Sequence, residues 1–160
     1  MEICGKHRGT VVNNVDPQQM GRLQVQVPSV AGTDALFAFP SVPYAGPGVG
    51  FFFLPPVGAN VWVEFEEGDK NRPIWSGGFW GSGEVPSEAN LPQRKVLKTE
   101  SVALTIEEQP GAGAFLLEVG QTKMKLSLKN GIIEIDNSAG AKIQLAGPQV
   151  SLNNGGLDVI

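Results

Sequence analysis

Gly58-Ala59-Asn60-Val61-Trp62-Val63-Glu64-Phe65-Glu66-Glu67-Gly68-Asp69-Lys70-Asn71-Arg72-Pro73-Ile74-Trp75-Ser76-Gly77 reads as two strands and the turn between them. Val61, Val63 and Phe65 alternate with Trp62, Glu64 and Glu66, and a period of two puts each set on its own face of a strand. Glu67 through Asn71 is the turn, with Gly68 free to take a positive φ. Arg72 through Trp80 returns as the partner strand. A half-buried hairpin of this kind needs further strands to cover its apolar side.

Those strands lie upstream. Arg8 to Asn13 is a strand candidate, followed by a loop from Asn14 to Gly21. Leu23, Val25 and Val27 then alternate with Arg22, Gln24 and Gln26, and Pro28 ends the run because proline cannot donate to a ladder. Residues 29–56 are rich in Gly, Pro and aromatics; short strands are expected near Ala35–Phe39 and Val49–Phe53 inside a long loop. No stretch keeps the i, i+3, i+4, i+7 spacing of a helix. The expectation is all-β, with Leu23, Val25, Val27, Val61, Val63 and Phe65 pointing inward.

Downstream of Gly81 the texture changes. Ser82 to Pro92 holds glycine, prolines and acidic residues and marks a boundary, dividing the chain into domains 1–90 and 91–160. Beyond it apolar residues recur two apart: Leu104 and Ile106, Leu117 and Val119, Met124, Leu126 and Leu128, Ile133 and Ile135, Ile143 and Leu145, Val150 and Leu152, Leu157 and Val159. Turn residues separate most of them, among them Asn130-Gly131, Gly147-Pro148 and Asn153-Asn154-Gly155-Gly156. This is a quasi-repeat of short strands. A ribbon so narrow encloses little volume, and chains below ~70–80 residues rarely build an adequate core without staples. Cys4 is the only cysteine, so no intrachain disulfide supplies one. Identical stripes from other copies do. Three ribbons winding about one axis would bury Met124, Leu126, Leu128, Ile133, Ile135, Ile143, Leu145, Val150 and Leu152 together.

Composition narrows the function. The chain has 160 residues and net charge −4, with no run of Lys or Arg; duplex-DNA binders carry a basic face because phosphate neutralisation dominates their affinity. The N-terminus lacks the long apolar core of a signal peptide, which implies synthesis in the cytoplasm. His7 has no second histidine or nearby cysteine as co-ligand. Glu64, Glu66 and Glu67 read as a solvated strand face. Gly46-Pro47-Gly48-Val49-Gly50 is not followed by the Lys-Ser/Thr of a phosphate cradle. Phe51, Phe52, Phe53, Trp62, Trp75 and Trp80 read as barrel core and inter-subunit packing. No nucleophile, base and orienting group can be assembled, so no catalytic residue, metal or cofactor is expected.

Arg8-Gly9-Thr10-Val11-Val12, Asp16-Pro17, Gly21 to Pro28, Pro43-Tyr44-Ala45-Gly46, Gly50, Leu54-Pro55 and above all Gly58 to Gly77 occur in an order that resembles the OB domain of contractile-tail spikes. These are the phage baseplate assembly protein V family and the VgrG-type spikes of type VI secretion. Asp136 to Leu145 resembles their β-helix repeats. Three features depart from the pattern. Lys98-Thr99-Glu100-Ser101 is followed by Val102-Ala103 instead of Gly-His, there is no C-terminal His-x-His, and the lysozyme insertion of some spikes is absent.

The resemblance implies an N-terminal OB-fold barrel followed by an intertwined triple-stranded β-helix. The assembly would be a homotrimer docked on a baseplate hub protein, located in the virion tail baseplate or a related injection particle, and driven through the target cell envelope. Apolar alternation reaching Leu157, Val159 and Ile160 adds the expectation that a small PAAR-like tip protein caps the end there. The alternative reading is an OB-fold binding module for single-stranded nucleic acid or glycan, since such barrels often present aromatic stacking platforms.

Overall fold

The computed structural model describes residues 3–110, 113–120 and 124–159, with the backbone alone at 124–126. They form two compact units, Met1–Glu84 and Val85–Ile160.

The first unit is built on β1 (His7–Asn13), β2 (Leu23–Gln26), a one-turn helix α1 (Pro28–Ala31), β3 (Ala35–Pro40), the two-residue strands β4 (Ala45–Gly46) and β5 (Val49–Gly50), β6 (Asn60–Phe65) and β7 (Pro73–Gly78). Five of these strands close into a barrel in the order β1-β2-β3-β7-β6, with β6 returning to β1. Only the β3–β7 contact is parallel. This is the five-stranded closure of an OB-type barrel, and it leaves little free edge.

The alternation carries the core. Leu23, Val25, Val27, Val61 and Val63 are fully buried, joined by Val11, Ala38, Phe65 and Trp75. Trp75 spends its one polar group on the Gly21 carbonyl, to which Nε1 donates at 3.2 Å. Gly9 is needed where β1 passes closest to its neighbours: a Cβ there would sit 2.9 Å from Val63 Cγ2 and 3.3 Å from the Gln26 carbonyl oxygen. Gly68 takes φ 72° in the β6–β7 turn, beside Glu67 at φ 54°.

Three expectations are corrected here. One helical turn exists at Pro28–Ala31; proline presets φ for a first helical position, but four residues are too few to show a period. The strand expected over Val49–Phe53 stops at Gly50, because the Phe51 amide closes the small hairpin onto the Tyr44 carbonyl at 2.9 Å and Pro55 and Pro56 cannot donate to a ladder. Of the aromatics assigned to barrel core and inter-subunit packing, Trp75 is core, whereas Phe51, Phe52, Phe53 and Trp80 are exposed in the single chain and so are corrected as barrel core only.

One carboxylate organises the loop from Asn14 to Gly21. Asp16 accepts from Arg22 Nη2 at 2.7 Å and Nε at 3.1 Å, and from the backbone amides of Gln18, Met20 and Arg22. The Arg22 guanidinium in turn lies over Phe37 and Phe39. Arg22 above all holds the Asp16 carboxyl well below the usual carboxylate range; desolvation opposes it, and the three backbone amides add to the lowering.

The second unit is a meander. A 3-10 turn (Ser87–Ala89) leads into β8 (Arg94–Lys98), β9 (Val102–Glu107), β10 (Ala114–Val119), β11 (Met124–Lys129), β12 (Ile132–Asp136), β13 (Lys142–Ala146), β14 (Gln149–Leu152) and β15 (Leu157–Val159). Each pairs antiparallel with the next in one eight-stranded sheet. The turns supply the positive φ that tight hairpins need: Asn130 and Gly131 at 53° and 75° as in type I′, and Gly147 at 55° ahead of Pro148 as in type II′. Side chains fix two more. Asn137 Oδ1 accepts from the Ala139 and Ala141 amides, and Asn153 Oδ1 from the Lys142 amide.

The Asp16 clasp has a pH signature. A carboxyl whose folded pKa is depressed stabilises the fold fully above its ordinary pKa of about 4, and that contribution is lost as pH falls below it. The melting point of the barrel, read by the fluorescence of Trp62, Trp75 and Trp80, should fall between pH 5 and pH 3 in the parent. Asp16→Asn should start lower at pH 7 and lose less over that interval; parallel curves for the two proteins would remove the clasp from the barrel's stability.

Candidate functional site

In an antiparallel sheet, residues directly opposite one another share a face. Applied strand by strand, this rule sorts the second unit into two unlike surfaces. One row runs Leu97, Leu104, Leu117, Leu126, Ile135, Ile143, Leu152, Leu157, each paired with the next. A second row beside it runs Lys95, Ile106, Phe115, Leu128, Ile133, Leu145, Val150, Val159. Apart from Lys95, which pairs with Glu108 at the start of the row, these two rows are continuous hydrocarbon.

The other face is polar along much of its length. Val96, Thr105, Leu116, Ser127, Glu134, Gln144, Ser151 and Asp158 make one of its rows. Arg94 bridges Glu107 at 2.7 Å, Lys142 bridges Glu134 at 2.7 Å, and Gln144 Nε2 donates to Glu134.

Burial in the single chain runs opposite to what a soluble sheet requires. Leu128, Ile133, Ile135, Ile143, Leu145 and Val150 are between 36% and 48% exposed, while Ala103, Thr105, Ala114 and Ser127 on the polar face are buried. Burying the remaining area of such residues is worth roughly 1 kcal/mol each. An uninterrupted apolar surface of this extent marks an interaction site.

The residues assigned to the shared core fall on this surface. Leu128, Ile133, Ile135, Ile143, Leu145, Val150 and Leu152 lie on the apolar face. The side chains of Met124 and Leu126 lie outside the described residues. Of the tip residues, Leu157 and Val159 extend the same two rows and are exposed; Ile160 lies outside the described residues. Leu97 and Phe115, absent from the sequence-based core, belong to the face as well. Only the pairing register shows it, since Leu97 in Arg94-Lys95-Val96-Leu97-Lys98 has no apolar residue two positions away.

The candidate chemical groups are dispersed or already paired. Glu64 is bridged by Lys6 at 3.0 Å, and Glu66 and Glu67 both hold Arg72. His7 has its Nδ1 3.1 Å from Ser29 Oγ and its ring edge on Phe65. Cys4 is exposed. Among the described residues no group of three or more His, Cys, Asp or Glu is placed to hold a metal ion.

A closed β-barrel joined to a ribbon with an uncovered apolar face defines a self-associating structural protein. Comparison with known families agrees domain by domain. Residues 7–80 match the type VI secretion system/phage-baseplate injector OB domain, and residues 95–158 match the phage baseplate V C-terminal trimerisation domain. The chain belongs to the phage baseplate V family, whose members are structural proteins of the baseplate and spike. No curated protein matches it.

Self-association through this face makes a directional prediction. Ile143→Asp puts a charge among Ile135 and Leu152, where an unpaired buried carboxylate is strongly penalised; sedimentation should show the oligomer lost. Gln149→Glu, on the opposite face, should assemble as the parent does. Equal assembly of both variants would mean that the apolar face is not the contact.

Proposed function

We propose that this chain is the central spike of a contractile injection machine. Three copies wind their ribbons, residues 91–160, into an intertwined triple-stranded β-helix with the apolar rows turned to a common axis. Residues 1–90 form the collar that seats the spike on a baseplate hub protein. The observation that carries this reading is the two-row apolar face on a segment matching a trimerisation domain. A threefold prism is the simplest closed form in which each such face meets two others.

The work of the spike is mechanical. A rod that transmits force through an envelope needs every strand tied to its neighbours and no mobile core. The ribbon offers consecutive antiparallel pairing, short turns locked by Asn137 and Asn153, and aliphatic rows that run the length of one face. The particle's location follows from this role: the tail baseplate of a virion or a related injection particle, with transient contact to the target envelope on contraction.

Mass decides between this reading and the binding module for single-stranded nucleic acid or glycan. The full chain should sediment as a trimer and stay trimeric in unheated SDS. A monomer retained on immobilised oligonucleotide would favour the module.

Leu157, Val159 and Ile160 are proposed to hold a PAAR-like tip protein by apolar contact. Deleting residues 157–160 should leave the trimer intact and abolish co-purification with a co-expressed tip candidate. Retention of the tip by the shortened trimer would place its docking site elsewhere.

A further inference from the structure

Two turns of the ribbon pair asparagine with a following glycine: Asn130-Gly131 and Asn154-Gly155. Such a pair rearranges without any catalyst. The glycine amide nitrogen attacks the side-chain carbonyl carbon of asparagine and closes a five-membered succinimide. The carboxamide nitrogen leaves as ammonia, carrying off the proton that the glycine nitrogen gives up. Water then opens one of the two ring C–N bonds, leaving aspartate or isoaspartate. Glycine permits the attack because it has no side chain to crowd its nitrogen.

The fold treats the asparagines of these turns unequally. Asn137 Oδ1 accepts from the Ala139 and Ala141 amides, and Asn153 Oδ1 from the Lys142 amide, so both carboxamides are held. Asn130 and Asn154 are exposed, and among the described residues no such bond holds either of them. Both take the left-handed conformation, at φ 53° and 57°. What separates them is the backbone around the turn. Asn130 and Gly131 are clamped by β11 and β12, which pair from Lys129–Ile132, next to the turn, to Lys125–Asp136. Each of those strands has a further neighbour in the sheet. Asn154 and Gly155 lie in the longer turn from Asn153 to Gly156, closed by a single long bond of 3.4 Å from the Gly156 amide to the Asn153 carbonyl. Its outgoing strand, β15, pairs only at Leu157, Asp158 and Val159, and among the described residues on one side only. Ring closure swings the side-chain carbonyl onto the next nitrogen, so its rate follows how often the turn opens. Turns held by few pairs open most often.

We propose that Asn154 is a site of spontaneous deamidation, the first of the ribbon asparagines to convert. The product acts on the strand that follows. Asp158 already stands beside this turn, its Oδ2 3.7 Å from where a Cβ on Gly155 would lie, so conversion adds a second carboxylate next to the first. Isoaspartate also lengthens the main chain by one methylene and shifts Leu157 and Val159 against Leu152 and Val150. These are the residues proposed above to hold a tip protein. The chemistry itself does not depend on that reading or on the trimer.

The test ages the purified full chain in mildly alkaline buffer and maps its peptides by mass spectrometry, with fragmentation that separates isoaspartate from aspartate. Asn154 should convert at least tenfold faster than Asn130, with Asn137 and Asn153 still amides. In denaturant the two Asn-Gly pairs should convert at comparable rates, which assigns the difference to the fold. Asn154→Gln should sediment as the parent does and yield no converted peptide from this turn. Equal rates at 130 and 154 in the folded protein, or a faster Asn130, would overturn the proposal. So would an amide that persists at 154 in the folded chain for as long as the denatured chain takes to convert.

Discussion

A β-sheet has two faces, and one chain of this ribbon covers the wrong one. The eight-stranded meander aligns its aliphatic side chains across every strand pair, from Leu97 to Leu157 and from Ile106 to Val159. Among the described residues no helix or second sheet of the same unit lies over them. The polar face, by contrast, is laced by Arg94–Glu107 and Lys142–Glu134. A sheet so arranged is stable only when its hydrocarbon side is removed from water, and the cheapest partner of matching pattern is another copy. The proposed assembly depends on that single mismatch.

The barrel meets the same physical demand in a different way. Closing β6 onto β1 removes the sheet edges and encloses Leu23, Val25, Val27, Val61 and Val63 completely. It is therefore self-sufficient in its core, and what it leaves outside is informative: the uncharged aromatic cluster around Phe52 and the Asp16–Arg22 clasp that shapes the loop beside it. The two units differ in this respect: one encloses its apolar side chains within the chain, the other leaves them uncovered.

Much of this was legible in the sequence, for a physical reason. Period-two alternation survives in any half-buried strand, so Leu23-Gln24-Val25-Gln26-Val27 and Val61 to Phe65 read directly as barrel wall. Asn130-Gly131 and Gly147-Pro148 read as turns because few residues tolerate the φ they require. The aromatic segment read only in part: Phe51, Phe52 and Phe53 were assigned to barrel core and inter-subunit packing, and in the single chain they lie outside the barrel core. The ribbon's face read only in part. Adjacent Ile132 and Ile133 point to opposite sides, and the ladder partners Ala146 and Leu145, not the pattern of either residue, decide which belongs to the apolar rows.

That adjacent pair offers the most direct measurement. In the single chain Ile133 is exposed and Ile132 is half-buried. In the proposed spike the apolar face is covered, burying Ile133 while Ile132 keeps its exposure, so the order reverses. Hydroxyl-radical footprinting of the purified full-length particle, read by mass spectrometry at residue resolution, should find Ile132 oxidised faster than Ile133. Ile133 oxidised faster than Ile132 in that particle would show the apolar face open to solvent, and would contradict a spike built on it.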